Sequence, residues 1–127
     1  MNDARDALLA SLVPSFELAE VNGACVVEAA GELDLSAADE LDATLAEARE
    51  RSRSVVLDLT DVSFIDSNSL GRLLAFDRQL ASGGGAFALV VRGAEVGRAL
   101  ELTRLDRILT TVPTRGAAVA AVTRRSR

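Results

Sequence analysis

The segment from Asp58 to Gly71, DLTDVSFIDSNSLG, holds the residues whose types and spacing could do chemistry. It runs from an apolar stretch through a polar cluster into a leucine-rich stretch, which predicts a buried strand, a turn and a helix. Ser67 falls in the first turn of that helix, where unpaired backbone amides and a partial positive charge would favour a phosphate on its hydroxyl. The alternative is that Ser67 or Asp66 only caps the helix, and the spacing alone favours this capping role.

The residue types that are missing exclude most catalytic chemistry. The chain has no histidine and no lysine, so it can build neither a Ser-His-Asp triad nor a Walker phosphate-binding loop. The single cysteine, Cys25, lies in an apolar run and is interpreted as a core residue. These absences also remove the usual zinc ligand sets. We therefore expect no enzyme activity, no metal and no cofactor, with a nucleotide hydrolase as the remote enzymatic alternative.

Charge and hydropathy narrow the class of partner. The formal net charge is −5, and the chain has four phenylalanines but no tryptophan or tyrosine, so nucleic-acid binding is not expected. No stretch reaches the roughly 18 apolar residues of a membrane span. The start of the chain carries acidic residues before a short apolar patch and lacks a signal-peptide cleavage site. We expect a cytoplasmic protein with no membrane partner.

Alternating patterns along the chain predict an α/β fold. Asn22-Gly23 lies between two apolar runs and predicts an antiparallel hairpin, and Ser36 is predicted to cap the first helix. The predicted elements are strands at 15–21 and 24–30, a helix at 37–51, a strand at 54–59, a helix that contains Ser67 in its first turn and ends near 82, a strand at 86–91, a helix at 95–103, a strand at 108–112 and a short tail helix. Helices that alternate with buried strands indicate a mostly parallel sheet of four to five strands. One domain is expected over residues 1–127, with about four helices, a core of about 14–113, and end segments 1–13 and 114–127 outside that core.

Three stretches of the sequence resemble one known family. They are Gly31-Glu32-Leu33-Asp34-Leu35, Val56-Leu57-Asp58-Leu59, and Val62-Ser63-Phe64-Ile65-Asp66-Ser67 with Leu70-Gly71. Leu102-Thr103-Arg104-Leu105 is a fourth, shorter match. Over about residues 16–122 the chain is similar to STAS domains, the family of bacterial anti-anti-sigma factors (anti-sigma factor antagonists). The resemblance implies the STAS fold.

The resemblance also implies a phosphorylation cycle in transcription regulation by partner switching. In that family a serine directly after the aspartate of the helix-start motif is phosphorylated by an anti-sigma factor that is also a serine kinase. By this match Ser67 is the acceptor, and a serine phosphatase resets the phosphoprotein. The unphosphorylated form binds the anti-sigma factor and frees the sigma factor. The alternative is a constitutive STAS scaffold subunit of a transporter or signalling assembly, in which Ser67 is only a cap.

The positions around Ser67 define the expected partner-binding surface. Asn68 stands where the family often has Ser or Thr, and Ser69 stands where the family often has Gly. Ser69 therefore supplies a second hydroxyl and is the runner-up acceptor. Arg72 either meets an acidic partner or is solvated. Asp58 is expected to be a hydrogen-bonding residue of its strand, and the resemblance places it just behind the loop that carries Ser67. The partner-binding residues are predicted to be Asp34, Leu35, Ser36, Asp66, Ser67, Asn68, Ser69, Leu70 and Arg72. The protein is expected to be a monomer or weak dimer.

Overall fold

A computed structural model of the chain describes residues 13–125. Within this range the chain forms one five-stranded sheet, in the spatial order β1-β2-β3-β4-β5, and four α-helices. In chain order the elements are β1 (Ser15–Val21), β2 (Ala24–Leu33), a 3₁₀ turn (Leu35–Ala37), α1 (Ala38–Arg51), β3 (Ser54–Ile65), α2 (Ser67–Ser82), β4 (Ala86–Val90), α3 (Ala94–Leu102), a second 3₁₀ turn (Leu105–Arg107), β5 (Thr110–Val112) and α4 (Arg115–Arg125). Strands β1 and β2 pair antiparallel and the other neighbours pair parallel. The predicted α/β class with a mostly parallel sheet is confirmed.

The first two strands are joined by the two-residue turn that the sequence predicts. Asn22 and Gly23 both have positive φ, at 49° and 88°, which matches the twist of a tight hairpin. Val21 pairs directly with Ala24 across this turn. The register of β1 on β2 is therefore set by local chemistry.

The sheet is covered on both faces, and the two faces are unequal. Alternate residues of the central strands point to opposite sides. One side packs on α1, α2 and α3 and forms the larger apolar core, which includes Leu41, Leu57 and Leu73. The other side packs on α4 through a smaller cluster that includes Val56 and Val122. Because α4 supplies buried side chains, the core extends past residue 113, the limit expected from sequence. Most of the predicted N-terminal segment 1–13 lies outside the described residues.

Several predicted boundaries were wrong for a common reason. Strand β3 runs to Ile65 rather than ending near residue 59, because its second half continues to pair with β2 up to Leu33. Strand β5 begins at Thr110 rather than 108, and the residues before it form the second 3₁₀ turn. In each case a contact or turn outside the local apolar pattern decided where the element ends.

The first helix lacks the serine cap that the sequence predicted. Asp34, not Ser36, begins the structured turn, and its carboxylate accepts hydrogen bonds from the Ser36 amide and hydroxyl. A 3₁₀ turn then leads into α1, whose N-cap position, Ala37, has no side-chain cap. Ser36 therefore donates to a capping aspartate and caps no helix itself.

Candidate functional site

The junction between β3 and α2 presents the Ser67 hydroxyl to solvent. Asp66 occupies the N-cap position, and its carboxylate accepts a hydrogen bond from the Ser69 amide at 2.8 Å. Ser67 is the first residue of α2 and is exposed. Among the described residues, none hydrogen-bonds to the Ser67 hydroxyl. The capping role thus belongs to Asp66, which leaves the oxygen of Ser67 unengaged at the positive end of a 16-residue helix.

The turn after β2 lies beside this junction because one backbone carbonyl ties the two together. The carbonyl of Leu33 accepts from the Asp66 amide and from the Ser69 hydroxyl, both at 3.0 Å. Leu33 also pairs with Ile65 at the end of the sheet. The residues that follow Leu33 therefore stand next to the start of α2.

This neighbouring turn carries an exposed apolar side chain between polar groups. Leu35 is 69% exposed. The hydrogen bond from the Ser36 hydroxyl holds the pKa of Asp34 below its ordinary value. Asp34 follows Leu33 and Asp66 precedes Ser67, so two acidic residues belong to the joined segments. The surface around Ser67 therefore combines one free hydroxyl, one exposed apolar side chain and negative charge.

Two predicted members of the partner-binding surface are corrected by their burial. Ser69 has no exposed surface, and its hydroxyl is used in the bond to the Leu33 carbonyl. Leu70 is 2% exposed and belongs to the main core. Neither side chain can contact a docked protein in this conformation. Ser69 is therefore not available as the runner-up phosphate acceptor, because it faces inward on the first turn of α2.

The guanidinium of Arg72 is engaged by other side chains of this protein rather than left free to bind a partner. Its guanidinium donates to the Asn68 side chain at 2.8 Å and forms an ion pair with Asp42 of α1. The side chain of Arg72 is 29% exposed. It links the first turns of α2 to α1, so its first role is to position the helix that presents Ser67. Asn68 is exposed beside Ser67.

Asp58 is a hydrogen-bonding residue of its strand but does not lie just behind the Ser67 loop. It stands in the middle of β3, paired with Glu28 and Val90. Its carboxylate accepts from Thr60 and from Arg115, at the start of α4. The predicted position next to the loop was wrong, because β3 continues for seven more residues after Asp58.

Sequence reasoning missed Phe64, Gly71 and Asp42. Phe64 is 43% exposed near the end of β3. Gly71 is exposed on α2, one turn after Ser67. Asp42 gave no local signal, because its partner Arg72 is 30 residues away in the chain.

Metal-ligand clusters and membrane-spanning helices are both missing from the residues that the structure describes. No three acidic, cysteine or histidine side chains in the range 13–125 come together as a metal-binding group. None of the helices within this range is both long enough and apolar enough to cross a bilayer.

The fold and the junction are those of a known class. The family model for the STAS domain matches residues 15–118. The chain therefore belongs to the STAS domain family, and the resemblance seen in the sequence is confirmed.

Several similar proteins and solved structures are named as anti-sigma factor antagonists. An anti-sigma factor antagonist of Thermotoga maritima is 42% identical over 71 residues, which cover 56% of this chain and 63% of that protein. A crystal structure of an anti-sigma factor antagonist from Mycobacterium paratuberculosis has a TM-score of 0.80 at 29% identity, covering 87% of this chain and 95% of the other. SpoIIAA of Bacillus, solved in its phosphorylated form, has a TM-score of 0.64 at 22% identity, covering 84% and 98%, and shows the shared fold. The chain thus spans less than two thirds of the Thermotoga relative.

Proposed function

We propose that this protein is an anti-sigma factor antagonist whose binding to an anti-sigma factor kinase is switched off by phosphorylation of Ser67. The observation that carries the proposal is the exposed Ser67 hydroxyl, left free because Asp66 caps α2. Relatives named as anti-sigma factor antagonists, and a phosphorylated structure of SpoIIAA, support the same activity.

The phosphoryl transfer needs only an accessible oxygen from this chain. The kinase transfers the γ-phosphoryl group of ATP to Ser67 Oγ, so that a new P–O bond forms as the bond to the ADP leaving group breaks. The hydroxyl proton passes to a base of the kinase. A separate serine phosphatase returns the hydroxyl by hydrolysis. This chain supplies the acceptor and the docking surface, and both enzymes supply the catalysis.

A phosphate on Ser67 should change binding far more than it changes the fold. It adds about −1.5 to −2 charges at neutral pH. The first turn of a helix tolerates an anion, because free amides and the helix dipole stabilise it there. A partner docked over Leu35 and Ser67 would instead have to remove water from the phosphate and accommodate its bulk beside Asp34 and Asp66. The cost therefore falls on the complex.

Gly71 provides an independent check on which face of α2 meets the partner. It lies four residues after Ser67, on the same side of the helix. A Cβ added at Gly71 would meet no atom within 4 Å, so the fold does not need glycine there. Because glycine in a helix costs about 1 kcal/mol relative to alanine, Gly71→Ala should raise the free energy of unfolding by about 0.5–1 kcal/mol in urea denaturation. It should also weaken binding of the anti-sigma factor, since the methyl group would keep a closely packed partner away. A stabilised variant with unchanged affinity would mean that the partner does not reach this face.

The direct test is phosphorylation by a purified kinase. The protein is incubated with ATP and each anti-sigma factor kinase of the source genome, and its intact mass is measured. We expect one added phosphate, absent in Ser67→Ala and retained in Ser69→Ala. Added phosphate that persists in Ser67→Ala and disappears in Ser69→Ala would show that Ser67 is not the acceptor. No phosphate with any kinase, together with unaltered binding by Ser67→Asp, would identify a constitutive binding module instead.

A further inference from the structure

Three large apolar side chains are exposed around the end of β3. Leu35 is 69%, Phe64 43% and Leu102 78% exposed. Phe64 and Leu102 line a cleft of about 160 Å³ between the end of β3 and α3, together with Ile65, Ala99, Glu95 and Arg98. The α3 members recur at helical spacing, so one face of this helix forms one wall of the cleft.

The two exposed apolar residues that line this cleft, Phe64 and Leu102, do not belong to the apolar core. Helix α3 is anchored in the core by Val96 and Leu100, which are both almost fully buried. Leu102 lies past these anchors and keeps most of its surface in water. Scattered exposed leucines are ordinary, whereas an apolar cleft with an acidic and a basic residue in its lining is typical of a protein-binding site.

The cleft is continuous with the surface around Ser67. Phe64 precedes Ser67 by three residues, so their Cα atoms lie within about 11 Å of each other. Phe64 also pairs with Glu32, three residues before Leu35. A stable interface buries about 800 Å² on each partner, roughly a disc of 16 Å radius. A partner centred on Ser67 would therefore cover Phe64.

We propose that the anti-sigma factor that docks on Ser67 also inserts one large apolar side chain into the cleft between Phe64 and Leu102. This inference rests on the proposed function and names a second anchor within it. Large side chains seated in pockets contribute most of the affinity in many interfaces.

The test measures dissociation constants for the purified kinase that phosphorylates Ser67. Leu102→Ser and Phe64→Ser should each weaken binding about tenfold or more, the range expected for a hot-spot residue. Ala99→Phe should weaken it as well, because it fills the cleft while keeping it apolar. Ile108→Ser is the matched control, since Ile108 is 57% exposed but does not line the cleft. Circular dichroism confirms that each variant is folded.

The outcomes separate this inference from the proposed function. If Ser67→Asp weakens binding while all three cleft variants bind like the wild type, the cleft anchor is rejected and the Ser67 switch stands. Equal losses in the cleft variants and in Ile108→Ser would also reject it. If the wild type neither binds nor is phosphorylated by any kinase tested, both proposals are overturned.

Discussion

Ser67→Asp is expected to weaken binding of the anti-sigma factor kinase about 100-fold, equivalent to about 2.7 kcal/mol. The substitution places a carboxylate on an exposed position directly after Asp66, next to the segment that carries Asp34. A docked partner would have to remove water from this charge and oppose it to its own surface, and poorly matched charges cost several kcal/mol in an interface. The fold should keep its stability, because an acidic side chain at a helix N-terminus is neutral or stabilising by about 0.3–1 kcal/mol. Isothermal titration calorimetry and thermal unfolding measure the two quantities.

Two control variants test whether the loss of affinity in Ser67→Asp is caused by the added charge at this position. In Ser67→Asn the new side chain has nearly the same size as aspartate but no charge. A much smaller loss of affinity in this variant would therefore show that the loss in Ser67→Asp comes from the charge. Ser82→Asp adds the same charge at an exposed position at the other end of α2 and should bind normally. Full affinity of both Ser67→Asp and enzymatically phosphorylated protein would contradict the switch. So would a loss of affinity that simply follows unfolding.

Arg115→Ala is expected to lower the free energy of unfolding by about 2–3 kcal/mol at pH 7. Asp58 is only 5% exposed, and Arg115 donates to its carboxylate at 3.1 and 2.8 Å. Removing the guanidinium leaves a buried carboxylate supported by Thr60 alone. The expected loss is below that of a fully buried pair, because the Arg115 side chain is 40% exposed. Arg115 also pairs with Glu28, so the substitution removes the ion pairs that join the start of α4 to β2 and β3.

Urea denaturation measures this loss, and Arg51→Ala is its control. Arg51 pairs with Glu47 one turn away on α1, and both side chains are more than half exposed. Such surface pairs contribute little, so Arg51→Ala should change stability by about 0.5 kcal/mol or less. Equal effects of the two substitutions would show that the pair with Asp58 behaves as a surface contact.

The same substitution should shift acid unfolding to higher pH. Burial acts to raise the pKa of Asp58, but the hydrogen bonds from Thr60 and the Arg115 guanidinium outweigh it and hold the pKa below its ordinary value. A carboxylate with a lowered folded-state pKa stabilises the fold above its unfolded-state pKa and loses this contribution as the pH falls. Without Arg115 much of this contribution is already missing at neutral pH, so the variant has less stability to lose as its other carboxylates are protonated. Circular dichroism against pH should show an earlier acid transition, and an unchanged midpoint would contradict this account.

Features set by near neighbours in the chain were predictable from sequence. The hairpin at Asn22-Gly23 depends only on which residues tolerate positive φ, and the observed angles agree. The alternation of apolar strands with amphipathic helices depends on spacing within about ten residues, and it predicted the α/β class. The position of Ser67 in the first turn of a helix followed from the same patterns. These features depend on residues close together in the chain, so residue type and spacing were enough to predict them.

The exposure of each group at the site depended on contacts between distant segments. Ser67 and Ser69 are both hydroxyls on one helical turn, and only the Leu33 carbonyl, 36 residues before Ser69, decides that one is buried and the other is free. The ion pair of Arg115 with Asp58 joins residues 57 apart. The apolar cleft exists because α3 packs beside the end of β3.

The sequence by itself determined the fold class, the lack of histidine and lysine chemistry, and a serine at a helix start. Only the tertiary structure decided that Ser69 and Leu70 are buried while Ser67 stays exposed, and that Leu35 and Phe64 keep much of their surface in water. The physical reason is that helix and strand patterns arise from interactions within a few residues. Which side chain is covered depends on packing between segments that the chain order does not place together.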